Sequence, residues 1–256
     1  MKNKIAVVTG ASSGIGRNIA CVLSQMGIQV ALVARTKAKL ESVQQEIEDM
    51  GGTAIIVVKD LYDENAVAEV INEVEARLGE IDIMINNAGF TGMASIHKTR
   101  LKNWEKVIRL NLTVPFQFIN LLLPKMRKKQ QGWIINISSE AGAILCPYSG
   151  AYGISKNGLN RLTELVDIEN RDYNIHAVSI CPGWVDTPLV MDPRLSQLEV
   201  EDILSTNEIA DTVRWILQQP ENLRVGPIIS ITPIKEQASL LAGTKKFFEL
   251  HKQLVD

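Results

Sequence analysis

Thr9-Gly-Ala-Ser-Ser-Gly-Ile-Gly16 lies between an apolar run, Lys4 to Thr9, and an amphipathic stretch over 15–26. Glycines at 10, 14 and 16 permit a tight turn and let backbone come close to a diphosphate. The free N–H groups and the dipole at the start of the following helix favour that negative charge. Ser12, Ser13 and Ile15 fill the remaining positions of the turn. A glycine-rich turn alone is weak evidence, but here it sits between a strand and a helix, the context such a phosphate-binding turn requires.

The same alternation continues outward. Lys4 to Thr9, Gln29 to Val33, Thr53 to Val58, Ile81 to Ile85, Trp133 to Ile137, Ile175 to Ile180 and Pro227 to Ile231 are nearly continuous in apolar, Val/Ile-rich character. That pattern predicts strands buried on both faces. Helical periodicity runs through 15–26, 37–50, 64–78, 103–129 and 151–170, and Pro115 predicts a kink or break near residue 111. Strands alternating with helices over short connections give an α/β fold, a doubly wound and mainly parallel sheet with helices on both faces. With no linker, repeat or low-complexity tract in 256 residues, the chain reads as one domain, 1–256. Weak periodicity marks Thr187 to Thr206 as a candidate mobile lid. Lys235 to Asp256 reads as an additional amphipathic helix.

Composition narrows the function classes. A hydrophobic fraction of 46% and a mean hydropathy of +0.05 suit a buried core, and a net charge of −2 with a pI near 6.0 gives no attraction to nucleic acid or anionic membrane. No signal peptide is read at the N-terminus, and no apolar run is expected to reach the ~20 residues of a membrane span. Cys21, Cys146 and Cys181 lack metal or redox spacing, and His97, His176 and His251 match no ligand pattern, so no metal is expected. Together these features predict a cytoplasmic protein with reduced thiols.

Two further places carry chemistry. The second strand ends in Val33-Ala34-Arg35-Thr36, with no acid to bind an adenosine 2′-hydroxyl. Arg35 suits a 2′-phosphate instead, which favours NADP(H) over NAD(H). Farther on, Tyr152 and Lys156 share a helix face, with Cβ atoms roughly 5–6 Å apart. Ser138 and Ser139 lie just upstream. An ammonium so placed is expected to lower the phenol from its usual pKa of ~10 and make it a usable acid or base.

With these residues in view, the chain resembles the short-chain dehydrogenase/reductase family in its compact single-domain subclass, over roughly residues 3–232. The motifs occur in order: the Thr9–Gly16 turn, Asp60, Asn86-Asn-Ala-Gly89, Asn111, Ser139 with Tyr152 and Lys156, and Cys181-Pro-Gly-Trp-Val-Asp-Thr187. The glycine spacing, Gly-x3-Gly-x-Gly, differs from that of the two-domain dehydrogenases. The resemblance implies a seven-stranded Rossmann sheet in the order 3-2-1-4-5-6-7 and self-association as a dimer or tetramer. It implies that Asp60 and Leu61 meet the adenine, that Asn87, Ala88 and Gly89 line the ribose side, and that Pro182, Gly183, Val185 and Thr187 hold the nicotinamide carboxamide. It also implies a catalytic set of Asn111, Ser139, Tyr152 and Lys156. In this set Tyr152 protonates the substrate oxygen, Ser139 steadies it with Ser138 as rival, and Lys156 binds ribose and, with Asn111 and a water, leads to solvent.

The substrate is less legible. Residues past the catalytic strands, including Ala141, Leu145, Tyr148, Trp184, Leu189 and Met191, are mostly apolar and suggest a hydrophobic ketone or acyl chain. A 3-oxoacyl group on acyl carrier protein or coenzyme A is the alternative, since Lys125, Arg127, Lys128 and Lys129 could attract an acidic carrier. The ending Arg224-Val-Gly-Pro-Ile-Ile-Ser-Ile-Thr-Pro233 departs from the ketoacyl reductase pattern and argues against it. A catalytically silent dinucleotide sensor or scaffold is the reading from outside enzymology.

Overall fold

The computed structural model describes residues 1–92, 94–187, 203–220 and 222–234. The expected lid over 187–206 lies largely outside these residues, and the expected C-terminal helix over 235–256 lies wholly outside them. Seven parallel strands form one sheet in the order β3-β2-β1-β4-β5-β6-β7. They are β1 (Ile5–Thr9), β2 (Gln29–Ala34), β3 (Ala54–Val58), β4 (Ile83–Asn86), β5 (Gly132–Ile137), β6 (Ile175–Pro182) and β7 (Ile228–Ile231). Both the fold class and the strand order agree with the expectation from sequence.

Continuous apolar strands follow from a sheet covered on both faces. Along β1, Ala6 and Val8 enter one core with α1 (Gly14–Gln25), α2 (Lys37–Asp49) and α8 (Thr206–Leu217). Ile5 and Val7 enter the other, with α3 (Ala66–Arg77), the long helical run that contains α4 (Leu101–Ile108) and α5 (Val114–Lys129), and α7 (Gly150–Asn170). The period of two in side-chain direction therefore divides a single apolar run between two layers. A polar thread crosses the second layer. Asn86 Nδ2 donates to Asn136 Oδ1 at 2.8 Å, and Asn136 Nδ2 donates to Thr163 Oγ1 at 2.8 Å, so β4, β5 and α7 are joined by buried amides.

Between α4 and α5, residues Arg109–Thr113 form a π-helical turn. Pro115 lacks the N–H that an α-helix would aim at the carbonyl of Asn111, so the ladder widens where the sequence predicts a break. One expectation needs correction. The run Leu101–Lys129 is long and apolar enough, by length and composition, to cross a membrane. Val107, Phe118, Ile119, Leu122 and Met126 of this run are buried within the fold, while Leu101, Phe116 and Leu121 are exposed.

Two devices close the ends of the sheet. A parallel bridge joins Val185 to Leu204; Leu204 N–H donates to Trp184 O and Asp186 N–H to Leu204 O, both at 2.9 Å. At the opposite edge, buried Asp82 accepts from Ile5 N–H at 2.9 Å, Lys4 Nζ at 3.1 Å and Lys129 Nζ at 2.6 Å. Lys4 also reaches Gln131. Burial pushes the Asp82 carboxyl up, but the bonds from Lys129, Ile5 and Lys4 outweigh it and hold the group below the usual carboxylate range.

Asp82 therefore contributes stability that is present above its unfolded pKa and lost as pH falls through the lower folded value. Asp82→Asn is expected to cost about 1–3 kcal/mol at neutral pH, because the two lysines lose their counter-charge. Urea unfolding followed from pH 7 downward should show the gap between parent and variant closing below about pH 4.

Candidate active site

The carboxyl ends of the strands open into one cleft of about 510 Å³. Its floor starts at the glycine turn. Gly10 (φ +66°) and Gly14 (φ +55°) adopt left-handed conformations. Gly16 lies beneath the turn, not in the cleft wall: a Cβ there would stand 2.4 Å from Gly10 O and 2.5 Å from Asn87 Nδ2. Asn87 Nδ2 donates to Thr9 O at 2.9 Å and Gly10 O at 3.3 Å, while Thr9 Oγ1 accepts from the N–H groups of Asn87 and Ala88, both at 3.0 Å. The end of β1 is thus sewn to the end of β4. Helix α1 starts from Ser13 with no side-chain cap and no acid in its first turn. An anion is what its free N–H groups lack, so a diphosphate fits there.

Most of the predicted nucleotide residues line this cleft: Gly10, Ser12, Ser13, Gly14, Ile15, Arg35, Thr36, Asp60, Leu61, Asn87, Ala88, Gly89, Pro182, Gly183, Val185 and Thr187. Arg35 is exposed, with Nη1 at 3.9 Å from Asp60 Oδ2, and Asp60 Oδ1 accepts from Tyr62 N–H at 3.0 Å. Lys39, Lys59, Tyr62, Phe90 and Leu110 also line the cleft and escaped the sequence reading. For Tyr62 a signal existed in its position two residues past Asp60, and for Lys39 in its position in the first turn of α2, four residues past Arg35. Lys59 is engaged by Glu69 at 2.6 Å.

Ser138, Ser139, Tyr152 and Lys156 form the far end of the same cleft. Ser138 Oγ donates to Lys156 O at 3.1 Å and ties the strand end to α7. Ser139 caps the short helix α6 (Glu140–Ala143), its Oγ accepting from Ala141 N–H at 3.2 Å, and its hydroxyl acts on the Tyr152 phenol, favouring the ionised form. Of the two rival hydroxyls, Ser139 is the one next to the phenol. Asn111 is fully buried behind the wall. Its Oδ1 accepts from Phe90 N–H at 2.9 Å, and its Nδ2 donates to Phe90 O and Ser155 Oγ at 3.0 Å each. It converges with Lys156 on Gly89, where a Cβ would lie 3.4 Å from Asn111 Oδ1 and 3.6 Å from Lys156 Nζ.

The expected electrostatic pairing is corrected here. Lys156 Nζ donates to Ile137 O at 2.7 Å and stands 5.8 Å from the centre of the Tyr152 ring. Burial pushes the Tyr152 phenol above its ordinary value, and the Ser139 hydrogen bond only opposes this. Burial also pushes the Lys156 ammonium down to about 8. Desolvation outweighs mutual attraction because both groups are enclosed and the ammonium is turned to a backbone carbonyl. The proposed substrate wall is corrected too. Ala141 and Trp184 are buried, Leu145 is exposed, and neither these nor Tyr148 line the cleft. Leu189 and Met191 lie outside the described residues.

Comparison with known proteins bears on the family and the fold. The sequence model of the short chain dehydrogenase family matches residues 4–197. An uncharacterised oxidoreductase of Staphylococcus saprophyticus is 32% identical over 91% of this chain and 99% of its own length. A fatty acyl-CoA reductase of Acinetobacter baylyi is 34% identical over 91% of this chain and 80% of its own. The crystal structure of a metagenomic short-chain oxidoreductase in complex with NADP superposes with a TM-score of 0.80 at 31% identity, covering 92% of this chain and 99% of that one.

Lys156 carries a measurable cost. Its folded pKa lies below the usual lysine value, so at pH 7 its charge is present but disfavoured; the penalty fades as pH rises from about 8 toward the unfolded value. Lys156→Met should therefore raise stability at pH 7 by about 1–3 kcal/mol. The gain should shrink by pH 10, as read by thermal unfolding across that range.

Proposed function

The chain belongs to the short-chain dehydrogenase/reductase family, and from that premise we propose that it is an NADP(H)-dependent carbonyl reductase acting on a hydrophobic ketone or the matching secondary alcohol. The observation that carries this reading is the continuity of the cleft, with an anion-ready glycine turn and Arg35 at one end and Ser139, Tyr152 and Lys156 at the other. When bound, the dinucleotide supplies and accepts hydride. Ser139 and Tyr152 hydrogen-bond the substrate carbonyl oxygen, and Tyr152 donates its proton to it. A phenol held high by burial stays protonated at neutral pH, the form that reduction needs. Lys156 and Asn111 meet around Gly89 and orient the ribose side, with Lys156 supplying a proton to the spent tyrosine.

The cofactor preference rests on Arg35, which is free to swing from its long contact with Asp60 to a 2′-phosphate, with Lys39 on the same wall. Free ketones are favoured over carrier-bound acyl groups by how the basic residues of α5 are used. Lys125 pairs with Glu75 at 2.6 Å, Lys129 with Asp82 at 2.6 Å, and Arg127 donates to Asn170 at 2.6 Å and lies over the Tyr173 ring. Such cations hold little attraction for an acidic carrier. A silent sensor would have no use for a complete set of Ser139, Tyr152 and Lys156 in one cleft. The same reading takes the protein as one cytoplasmic domain that self-associates as a dimer or tetramer, which the exposed Phe116, Leu121, Leu165 and Ile168 on α5 and α7 support.

Tyr152→Phe is expected to lower the rate of NADPH-coupled ketone reduction about 10²–10⁴-fold while dinucleotide binding changes little. Turnover within a few-fold of the parent would remove Tyr152 from its role. Arg35→Ser should weaken NADPH binding about tenfold or more and leave NADH nearly unchanged, as measured by isothermal titration. Tighter binding of NADH than NADPH by the parent would overturn the cofactor assignment.

A further inference from the structure

Glu140 stands directly after Ser139, opens α6, and is 8% exposed. Its carboxylate lies against the cleft wall from behind. Gly183 lines the cleft, and a Cβ on it would lie 3.3 Å from Glu140 Oε2, 3.1 Å from Pro233 Cδ and 3.6 Å from Thr232 Cα. Gly183 is thus wedged between the acid on α6 and the chain leaving β7. Helix-start chemistry accounts for little of this. The helix α6 has four residues, too short for much of a dipole, and Ser139 already caps it. A carboxylate is costly to enclose, so one kept against a ligand cleft calls for a use of its charge.

That charge is felt by its neighbours. Burial and the negative charge of Glu140 push the Cys146 thiol up to about 11. Burial also pushes up the Cys181 thiol and the Tyr152 phenol. These three groups are therefore neutral at pH 7, while Lys156 brings an ammonium to the same end of the cleft. Within this enclosed set, Glu140 supplies the negative charge. The carbonyl reductase reading puts the nicotinamide at the Ser139 and Tyr152 end, away from the glycine turn that takes the diphosphate. The oxidised nicotinamide ring is a cation and the reduced ring is neutral, so a fixed charge nearby acts on the two forms unequally. We propose that Glu140 sets the redox preference of the site: its carboxylate, held behind Gly183 beside Ser139, favours the oxidised dinucleotide and offsets its repulsion by the Lys156 ammonium. The inference rests on the carbonyl reductase reading and adds a direction to it. The equilibrium on the protein is drawn toward oxidised cofactor and alcohol, which is ketone reduction.

The test is the ratio of two dissociation constants, for NADP+ and for NADPH, measured by isothermal titration at pH 7 without substrate or turnover. Glu140→Gln removes the charge and keeps the shape. It should weaken NADP+ about five- to tenfold and change NADPH by less than about twofold. Glu140→Asp keeps the charge and should hold the ratio within about twofold of the parent's. Where glutamine does not fold at this position, Glu140→Met, apolar and of similar volume, takes its place with the same expected ratio. A merely structural role for Glu140 weakens both forms alike and leaves the ratio where it was, which overturns the proposal. A ratio that moves equally in Glu140→Asp and Glu140→Gln also overturns it, since only one of them has lost the charge. In both of those outcomes dinucleotide binding by the parent leaves the reductase reading standing. A parent that binds neither NADP+ nor NADPH removes the reading and the proposal together.

Discussion

Everything in the cleft is hung from the contact between the end of β1 and the end of β4. Asn87 spends its side-chain amide on two carbonyls of the glycine turn, and Thr9 spends its hydroxyl on two N–H groups of the opposite strand end. The space left between them excludes even a methyl group at Gly16. Once these strands are locked at this separation, the N-terminus of α1 is aimed across the cleft and Gly89 is brought to Lys156. The turn that presents anion-binding groups and the loop that flanks the reacting end are therefore one mechanical unit, not two sites that happen to be adjacent.

The pair at the centre of the chemistry shows how far burial can change a role drawn from spacing. Four residues of helix do bring Tyr152 and Lys156 to one face, as their numbering requires. Their charges, however, answer to the enclosure more than to each other. The lysine is bound to Ile137 O, and the tyrosine answers first to its burial and then to the Ser139 hydroxyl. The protein holds a phenol that resists ionisation beside an ammonium that gives up its proton readily. On the carbonyl reductase reading proposed above, the phenol would give its proton to the carbonyl oxygen and the ammonium would replace it.

Much of this was legible in the chain. Strand and helix positions followed from apolar periodicity because both faces of the sheet are covered, and Pro115 predicted the widened turn by the absence of one donor. The glycine turn, Arg35, Tyr152 and Lys156 stand out by local chemistry, and Asp60 by the family resemblance; the structure brings these and Ser139 to one cleft. The shift of the Tyr152–Lys156 pair could not, since desolvation depends on every layer packed around a group. The substrate wall failed for a related reason: core and pocket use the same apolar residues, so Trp184 and Ala141, which are core, were indistinguishable in sequence from a lining. The membrane-length run over Leu101–Lys129 shows the same ambiguity, since a helix packed along one side of a fold and one crossing lipid can share a composition.

The bridge between Val185 and Leu204 has a consequence for how such a chain can diversify. It clamps the backbone on either side of the residues between them, close to the strand end that bears Pro182 and Gly183. Changes in length or composition inside that bracket are thereby insulated from the register of the sheet. The strand end that bears Pro182 and Gly183 thus keeps its place whatever sequence fills the bracket.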